Sequence, residues 1–434
     1  MDKVLLVFPK TGLDKYAQLP LGLLSIASTF VDDYEVKIID QRIDEKWAEK
    51  VESESRDSIC VGVASMTGKQ IANGIEISKI AKKHTKVIWG GVHPTLLPYQ
   101  TLQNKYVDFI VLREGEVTFP LLLKALTDPK RFEHIKGIGY KDSKGIHVNE
   151  LRDFVDMNTL PNLPYHLLEI EKYITKREGF KRCLSLETSR GCPHNCSFCS
   201  NPIIHRRKWR CLNVENIIQK TKYLQNRFKL DGIVHQEDNF FVNILRVKKF
   251  CEAIQKDINI GWKANCRISY LLNKDSSFLK MLEKGGCKVL QFGVESGTNR
   301  ILKLLNKGIT IENILKVNSK LAKWDIICRY NFIVGIPTET QEEIQSTLDF
   351  IEKLQSENAN LDVPFLNIYT PWPGTKLFKL SIEKGFNPPN TLEGWSTFNW
   401  NTWNLPWLDK KISKVLEDVS IKYRNESKYF SWTR

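Results

Sequence analysis

The sequence predicts an α/β protein of two parallel-sheet domains, a small doubly wound domain followed by a partial (β/α)6 barrel, with a short C-terminal extension. Three observations predict this. From residue 3 to about 126, short apolar runs alternate with amphipathic stretches, the pattern of a sheet wrapped by helices. A second series of six strand–helix steps begins at Leu184, as a parallel barrel, complete or partial, requires. The 434 residues also exceed what one ordinary core of about 100–200 residues holds.

In the first series the strands fall at Lys3–Phe8, Glu35–Ile39, Ser58–Ala64, Lys86–Gly90 and Val107–Val111. Helical spacing of apolar residues covers Leu21–Phe30, Gln70–Lys82 and Phe119–Leu126. Ligands of such sheets sit at the carboxyl ends of the strands. Those ends carry Pro9-Lys10-Thr11-Gly12, Ser65-Met66-Thr67-Gly68, Gly90-Gly91-Val92-His93-Pro94 and Arg113-Glu114-Gly115-Glu116. Periodicity then weakens, with a hairpin near Gly137–Val148 and the proline-spaced Leu160–Pro164. The barrel strands lie near 184–189, 231–237, 260–266, 288–294, 328–334 and 364–369. The domains are therefore 1–127, a connector over 128–180, the barrel over 181–375 and an aromatic-rich extension over 376–434. Its Trp395, Trp400, Trp403, Trp407 and Trp432 either cap the barrel mouth or pack on it.

Hydrophobic residues at 42% and charged residues at 26% exclude a disordered or fibrous chain. The net charge of +14 is compatible with an anionic partner or with a Lys-rich surface. The local basic run His205-Arg206-Arg207-Lys208-Trp209-Arg210 either holds an anionic substrate or is a solvated loop. The start is broken by Pro9, Lys10 and Asp14, so it reads as a strand and not a signal peptide. No apolar run approaches the roughly 20 residues of a membrane span, and a cytoplasmic protein is expected. Ten cysteines, three of them tightly clustered, suit a reducing compartment. Cys60, Cys251, Cys266, Cys287 and Cys328 read as packed thiols.

The cluster is Gly191-Cys192-Pro193-His194-Asn195-Cys196-Ser197-Phe198-Cys199, a C-x3-C-x2-C loop directly after a strand. Three thiolates so close can take three corners of one iron–sulfur cluster, and a four-iron cluster normally has four cysteines. One iron is then open to an outside ligand. A zinc site would show a further Cys or His at pair-like spacing. Simple electron transfer would need a fourth cysteine, which Cys183 or Cys211 could supply.

The motif, with Phe198 before its last cysteine, resembles that of the radical S-adenosylmethionine superfamily. The resemblance implies that Cys192, Cys196 and Cys199 hold a 4Fe-4S cluster whose open iron binds S-adenosylmethionine, for reductive cleavage to a 5'-deoxyadenosyl radical. Glu237-Asp238-Asn239-Phe240 resembles the family's DDNF element, and Gln291-Phe292-Gly293-Val294-Glu295-Ser296-Gly297 its G-x-E-S-G signature. Gly335–Thr340 and Pro371–Thr375 match its fifth- and sixth-strand ends. These assign Phe198, Asp238, Asn239, Gln291, Glu295 and Ser296 to S-adenosylmethionine, with Glu295 and Ser296 toward its ribose or amino acid part. The glycine-glycine-glutamate element that contacts the methionine amine is absent.

Placed before this barrel, the first domain resembles the Rossmann-like cobalamin-binding domain of the cobalamin-dependent subgroup, the class B methyltransferase-like enzymes. The resemblance assigns Ser65, Met66, Thr67, Gly90, Gly91, His93, Pro94, Glu114, Gly115 and Glu116 to cobalamin. The D-x-H-x-x-G motif is not found, so His93 is expected as a turn or corrin side-chain contact and not a cobalt ligand. The function implied is methylation of an unactivated carbon, or phosphorus, of a small molecule or biosynthetic intermediate. Its electron donor would be a flavodoxin or ferredoxin, and nucleic acid is not an expected partner. No catalytic side chain is assigned. The alternatives are a cobalamin-dependent rearrangement, cyclisation or ring contraction, and a tRNA methylthiotransferase. The latter carries three more N-terminal cysteines, where this chain has only Cys60.

Overall fold

The structure, a computed structural model, describes residues 1–12, 17–127, 129–398 and 405–427. Trp400, Trp403 and Trp432 lie outside the described residues. The contacts divide the chain into two compact units, Met1–Tyr173 with Pro388–Asn399, and Ile174–Asn387 with Trp400–Arg434.

The first unit is built on β1 (Lys3–Phe8), β2 (Glu35–Asp40), β3 (Ser58–Ser65), β4 (Lys86–Gly91), β5 (Phe109–Leu112), β6 (Ile138–Asp142) and β7 (Gly145–Val148). They lie in the order β2-β1-β3-β4-β5-β6-β7, the first five parallel and the last two antiparallel. Strand β1 lies inside the sheet between β2 and β3, and Val4, Leu5, Leu6 and Val7 are all buried. An unbroken apolar run is what a strand covered on both faces requires. Helix Lys69–Ala81 lies close on the sheet because Gly74 leaves room for the Trp89 ring, whose indole donates to Ser78 Oγ at 2.9 Å. The strand order reverses between β1 and β3, the switch point where such sheets bind ligands.

The hairpin read as part of a connector instead extends this sheet, because β6 pairs with β5. The tail likewise does not act as one extension of the barrel. Trp395 is buried in the first unit, donates to Gln100 Oε1 at 2.5 Å and meets the His93 ring at 6.1 Å. Trp407 stays with the second unit and donates to the Gly335 carbonyl at 3.0 Å.

The second unit contains β8 (Thr175–Arg177), β9 (Phe180–Leu186), β10 (Ser189–Arg190), β11 (Arg210–Cys211), β12 (Gly232–His235), β13 (Gly261–Cys266), β14 (Cys287–Glu295), β15 (Ile327–Val334) and β16 (Leu361–Ile368). Its main sheet runs β16-β15-β14-β13-β12-β9-β8. Six strands are parallel, only β8 is antiparallel, and β16 and β8 are the two edges, so the barrel is partial. Near the amino ends of the strands, buried Arg329 meets Glu178 at 2.5 Å and Asp362 at 3.3 Å, and Ser427 donates to Asp362. The carboxyl ends remain for the site.

Candidate functional site

Between its strand β10 and strand β11, the second unit presents the cysteine loop. Gly191 sits at φ +84°, and a Cβ there would come within 2.1 Å of the Lys208 carbonyl oxygen, so the loop tolerates only glycine. Two neighbouring segments tie it down through three hydrogen bonds. The Gly191 amide donates to Asp238 Oδ2 at 2.8 Å, Ser197 N donates to the Leu305 carbonyl at 2.9 Å, and Asn306 donates to the Asn195 carbonyl at 2.7 Å. Glu237 is buried behind it, accepting from the Thr188 amide at 2.8 Å and from the Thr188 and Ser189 hydroxyls. Burial disfavours its charge, but His235, Arg246 and Ser189 hold its carboxyl below the usual range.

The three sulfurs line one open cavity of about 300 Å³. Each has a nitrogen donor: Asn239 Nδ2 to Cys192 at 3.7 Å, Arg267 Nη1 to Cys196 at 3.2 Å and the Asn201 amide to Cys199 at 3.4 Å. Burial raises the Cys199 thiol to about 12 and also raises Cys192, against the His194 amide and Asn239. Uncompensated thiolates are therefore costly here, and positive iron is what such a donor set suits. Among the described residues no three His, Cys, Asp or Glu side chains converge on a single-ion site. None of the ten cysteines is in a disulfide; Cys183 and Cys211 do not line the cavity, whereas Cys266 does, its thiol donating to the Arg267 carbonyl at 3.4 Å.

The same cavity is lined by the buried pair Glu295 and Lys307, 2.9 Å apart, with the Lys307 ammonium 5.8 Å from the Phe198 ring centroid. Glu295 ends β14 at φ 75°, a strained conformation for a non-glycine residue, and Gly293 lies directly beneath its carboxylate. The cavity thus gathers Cys192, Cys196, Cys199, Phe198, Asp238, Asn239, Gln291 and Glu295. Ser296 is not among its lining; it is buried with its hydroxyl 3.4 Å from those of Thr298 and Thr347. Sequence reasoning missed Asn201, Asn265, Arg267 and Asn331, which also line it. The amide oxygens of Asn201, Asn265 and Asn331 are buried without a hydrogen-bond partner, and these acceptors fit a ligand rich in hydroxyl and amino donors. The signal for Asn265 and Arg267 was the alternation from Trp262 to Arg267, which puts every second residue of β13 on the barrel interior.

In the first unit, the ends of β3, β4 and β5 bring the other expected residues together. Gly90, paired with Ala64, has only the Val111 carbonyl oxygen, 3.8 Å from where a Cβ would stand, and Met66, just past the end of β3, is 52% exposed. The Ser65 hydroxyl is buried without a partner. Small residues flanked by an exposed thioether fit a broad flat ligand such as a corrin. Glu116 and His93 instead serve the interior: Ser25 donates to Glu116 at 2.6 Å, and His93 Nδ1 lies 3.0 Å from the Thr67 hydroxyl. A Cβ on Gly115 would meet Ile26 at 2.9 Å, and Pro94 is buried.

Residues 186–351 match the Radical SAM superfamily, and residues 15–123 match the B12 binding domain family. An uncharacterized methyltransferase of Pyrococcus horikoshii is 30% identical over 442 residues, which cover 97% of this chain and 92% of that protein. Among solved structures, the radical S-adenosylmethionine methyltransferase TsrM of Kitasatospora setae, holding cobalamin and a 4Fe-4S cluster, shares the fold. Its TM-score is 0.71 at 16% identity, over 88% of this chain and 78% of its own. The cobalamin-dependent S-adenosylmethionine radical enzyme OxsB gives 0.68 at 23% identity over 81% of this chain. The match covers 52% of OxsB, so this chain spans about half its length. The chain belongs to the radical S-adenosylmethionine superfamily, among the members that carry a B12-binding domain ahead of the barrel. Its cofactors are accordingly a 4Fe-4S cluster, S-adenosylmethionine and cobalamin.

Proposed function

We propose that the protein is a cobalamin-dependent methyltransferase that places a methyl group on an unactivated carbon, or on phosphorus, of a small molecule. The observation that carries this reading is the cavity in which three sulfurs, each met by an N–H, face the Glu295–Lys307 pair. When bound, the cluster would supply one electron to S-adenosylmethionine, and cobalamin would carry the methyl group.

The chain's own part is positioning. Cys192, Cys196 and Cys199 are the cluster ligands in this reading, and Asn239, Arg267 and the Asn201 amide orient their sulfurs. Phe198 and Lys307 form a flat, cationic wall, Glu295 is the acceptor for ribose hydroxyls, and Asp238, Asn239 and Gln291 complete the S-adenosylmethionine contacts. In the first unit Ser65, Met66, Thr67, Gly90, Gly91 and Glu114 would hold cobalamin, with the buried His93, Pro94, Gly115 and Glu116 supporting them. Among the described residues no helix is long and apolar enough to cross a membrane. Ten cysteines with no disulfide among them suit the reducing cytoplasm.

Anaerobic reconstitution with iron, sulfide and hydroxocobalamin tests the reading, on the wild type and a Cys192→Ala, Cys196→Ala, Cys199→Ala variant. The expected result is about four irons lost in the variant and one corrinoid retained by both. Iron without corrinoid would remove the methyl-transfer reading.

A further inference from the structure

We propose that the exposed loop Arg206-Arg207-Lys208 is the docking surface for a small acidic electron-transfer protein, a flavodoxin or ferredoxin, with Trp209 as the bridge from that surface to Cys192. The inference rests on the reading of the cysteine loop as a cluster site.

Two independent observations carry it. The first is charge. Arg206, Arg207 and Lys208 are consecutive and exposed, and among the described residues none has a carboxylate partner. Elsewhere in the second unit Arg300 is paired with Glu343 and Lys288 with Asp325, whereas among the described residues these three consecutive cations stand together without a carboxylate. Arg206 and Arg207 are held at φ 49° and 59°, left-handed backbone that a non-glycine residue keeps only where the surroundings impose it. The imposing contacts are the β10–β11 pairing of Arg190 with Arg210 and the packing of Gly191 against the Lys208 carbonyl.

The second observation is connection. Arg207 Nε donates to the Pro193 carbonyl at 3.0 Å, and Pro193 directly follows Cys192, one Cα step of about 3.8 Å away. Half-buried Trp209 donates from its indole to the Asn239 carbonyl at 3.0 Å, and the Asn239 amide donates to Cys192 Sγ at 3.7 Å. The basic surface therefore lies over a short aromatic and hydrogen-bonded path to a cluster ligand. Unpaired cations on an exposed rim govern the association rate of an oppositely charged protein more than its affinity. In the step itself one electron passes: the reduced donor is oxidised by one, the oxidised cluster is reduced by one, and no bond is made or broken.

The test uses the full-length reconstituted enzyme with reduced recombinant flavodoxin, following the bleaching of cluster absorbance by stopped flow. The double variant Arg206→Glu, Lys208→Glu leaves Arg207 to hold Pro193. Its second-order rate with flavodoxin is expected to fall about tenfold or more at low salt, and its dependence on ionic strength to flatten. Reduction by dithionite should stay at the wild-type rate. Arg206→Lys should behave as wild type, and Trp209→Leu should slow electron transfer within the complex without changing the salt dependence of association. An unchanged flavodoxin rate in the double variant, or an equal loss with dithionite, would overturn the proposal. So would salt-sensitive RNA binding that is lost in the double variant while flavodoxin reacts normally. A wild type that retains no iron sinks the cluster reading instead. Titration of the iron-free chain with oxidised flavodoxin still reads the surface, and equal binding by the double variant overturns the docking role.

Discussion

Arg267 is the residue whose position says most about the cluster loop. One guanidinium nitrogen donates to Cys196 Sγ at 3.2 Å and the other to the Lys307 carbonyl, so the same side chain touches a sulfur and fixes the backbone that carries the Glu295 partner. A cationic donor on a ligand sulfur favours the more negative, reduced cluster. Arg267→Met should therefore lower the cluster's reduction potential, by about 60 mV if the bond contributes about 1.4 kcal/mol more to the reduced form. Redox titration followed by electron paramagnetic resonance measures this, and Arg267→Lys should recover part of the shift. His93 makes a different prediction. Burial lowers its pKa to about 3 from the ordinary 6.5, so it stays neutral in the folded chain. Below pH 6.5 the unfolded chain binds a proton that the folded one does not. Stability contributed at this site is intact above about pH 6.5 and falls as pH drops toward 3, by up to about 1.4 kcal/mol per pH unit. Urea unfolding of His93→Gln should lose less stability than wild type between neutral and mildly acidic pH.

At the scale of elements, the loop between β10 and β11 depends on one backbone conformation. Gly191→Ala places a Cβ against the Lys208 carbonyl at φ +84°. It should cost on the order of 1–3 kcal/mol and detach the β10–β11 pair. Iron analysis after reconstitution should show substoichiometric metal, while circular dichroism stays near wild type. The strands were largely legible in the sequence. The run from Lys3 to Phe8 and the barrel strand ending at Glu295 are apolar enough to permit little else. Helix Trp47–Ser55 was not legible, because only Val51 and Ser55 are buried on it. Pro98 hid the helix Pro98–Gln103 by looking like a loop residue when it is in fact the first-turn proline. In the site, the cysteines and Glu295 were readable because motif spacing encodes them. Lone amides such as Asn331 were not, since only the curl of the sheet brings them to the cavity.

At the scale of the whole molecule, residues far apart in sequence complete the first unit. Trp395 is 1% exposed there and packs on Phe398 at 4.6 Å between ring centroids. Glu393 accepts from Asn104 at 2.6 Å, and Gln100 donates to the Pro389 carbonyl at 3.0 Å. Trp395→Ala should destabilise by about 3–5 kcal/mol. Hydrogen exchange should report the loss in helix Lys69–Ala81, against which this segment packs, and not in the barrel strands. The same arrangement bears on how the chain is made. Domains commonly fold one after another as they leave the ribosome, at about 5–20 residues per second. Here the N-terminal unit lacks its closing segment until residues 388–398 have been synthesised, after nearly all of the barrel. For the many seconds of translation in between, the hydrophobic seat of Trp395 is open, and a nascent chain stalled before this point would expose it to chaperones or to other nascent chains.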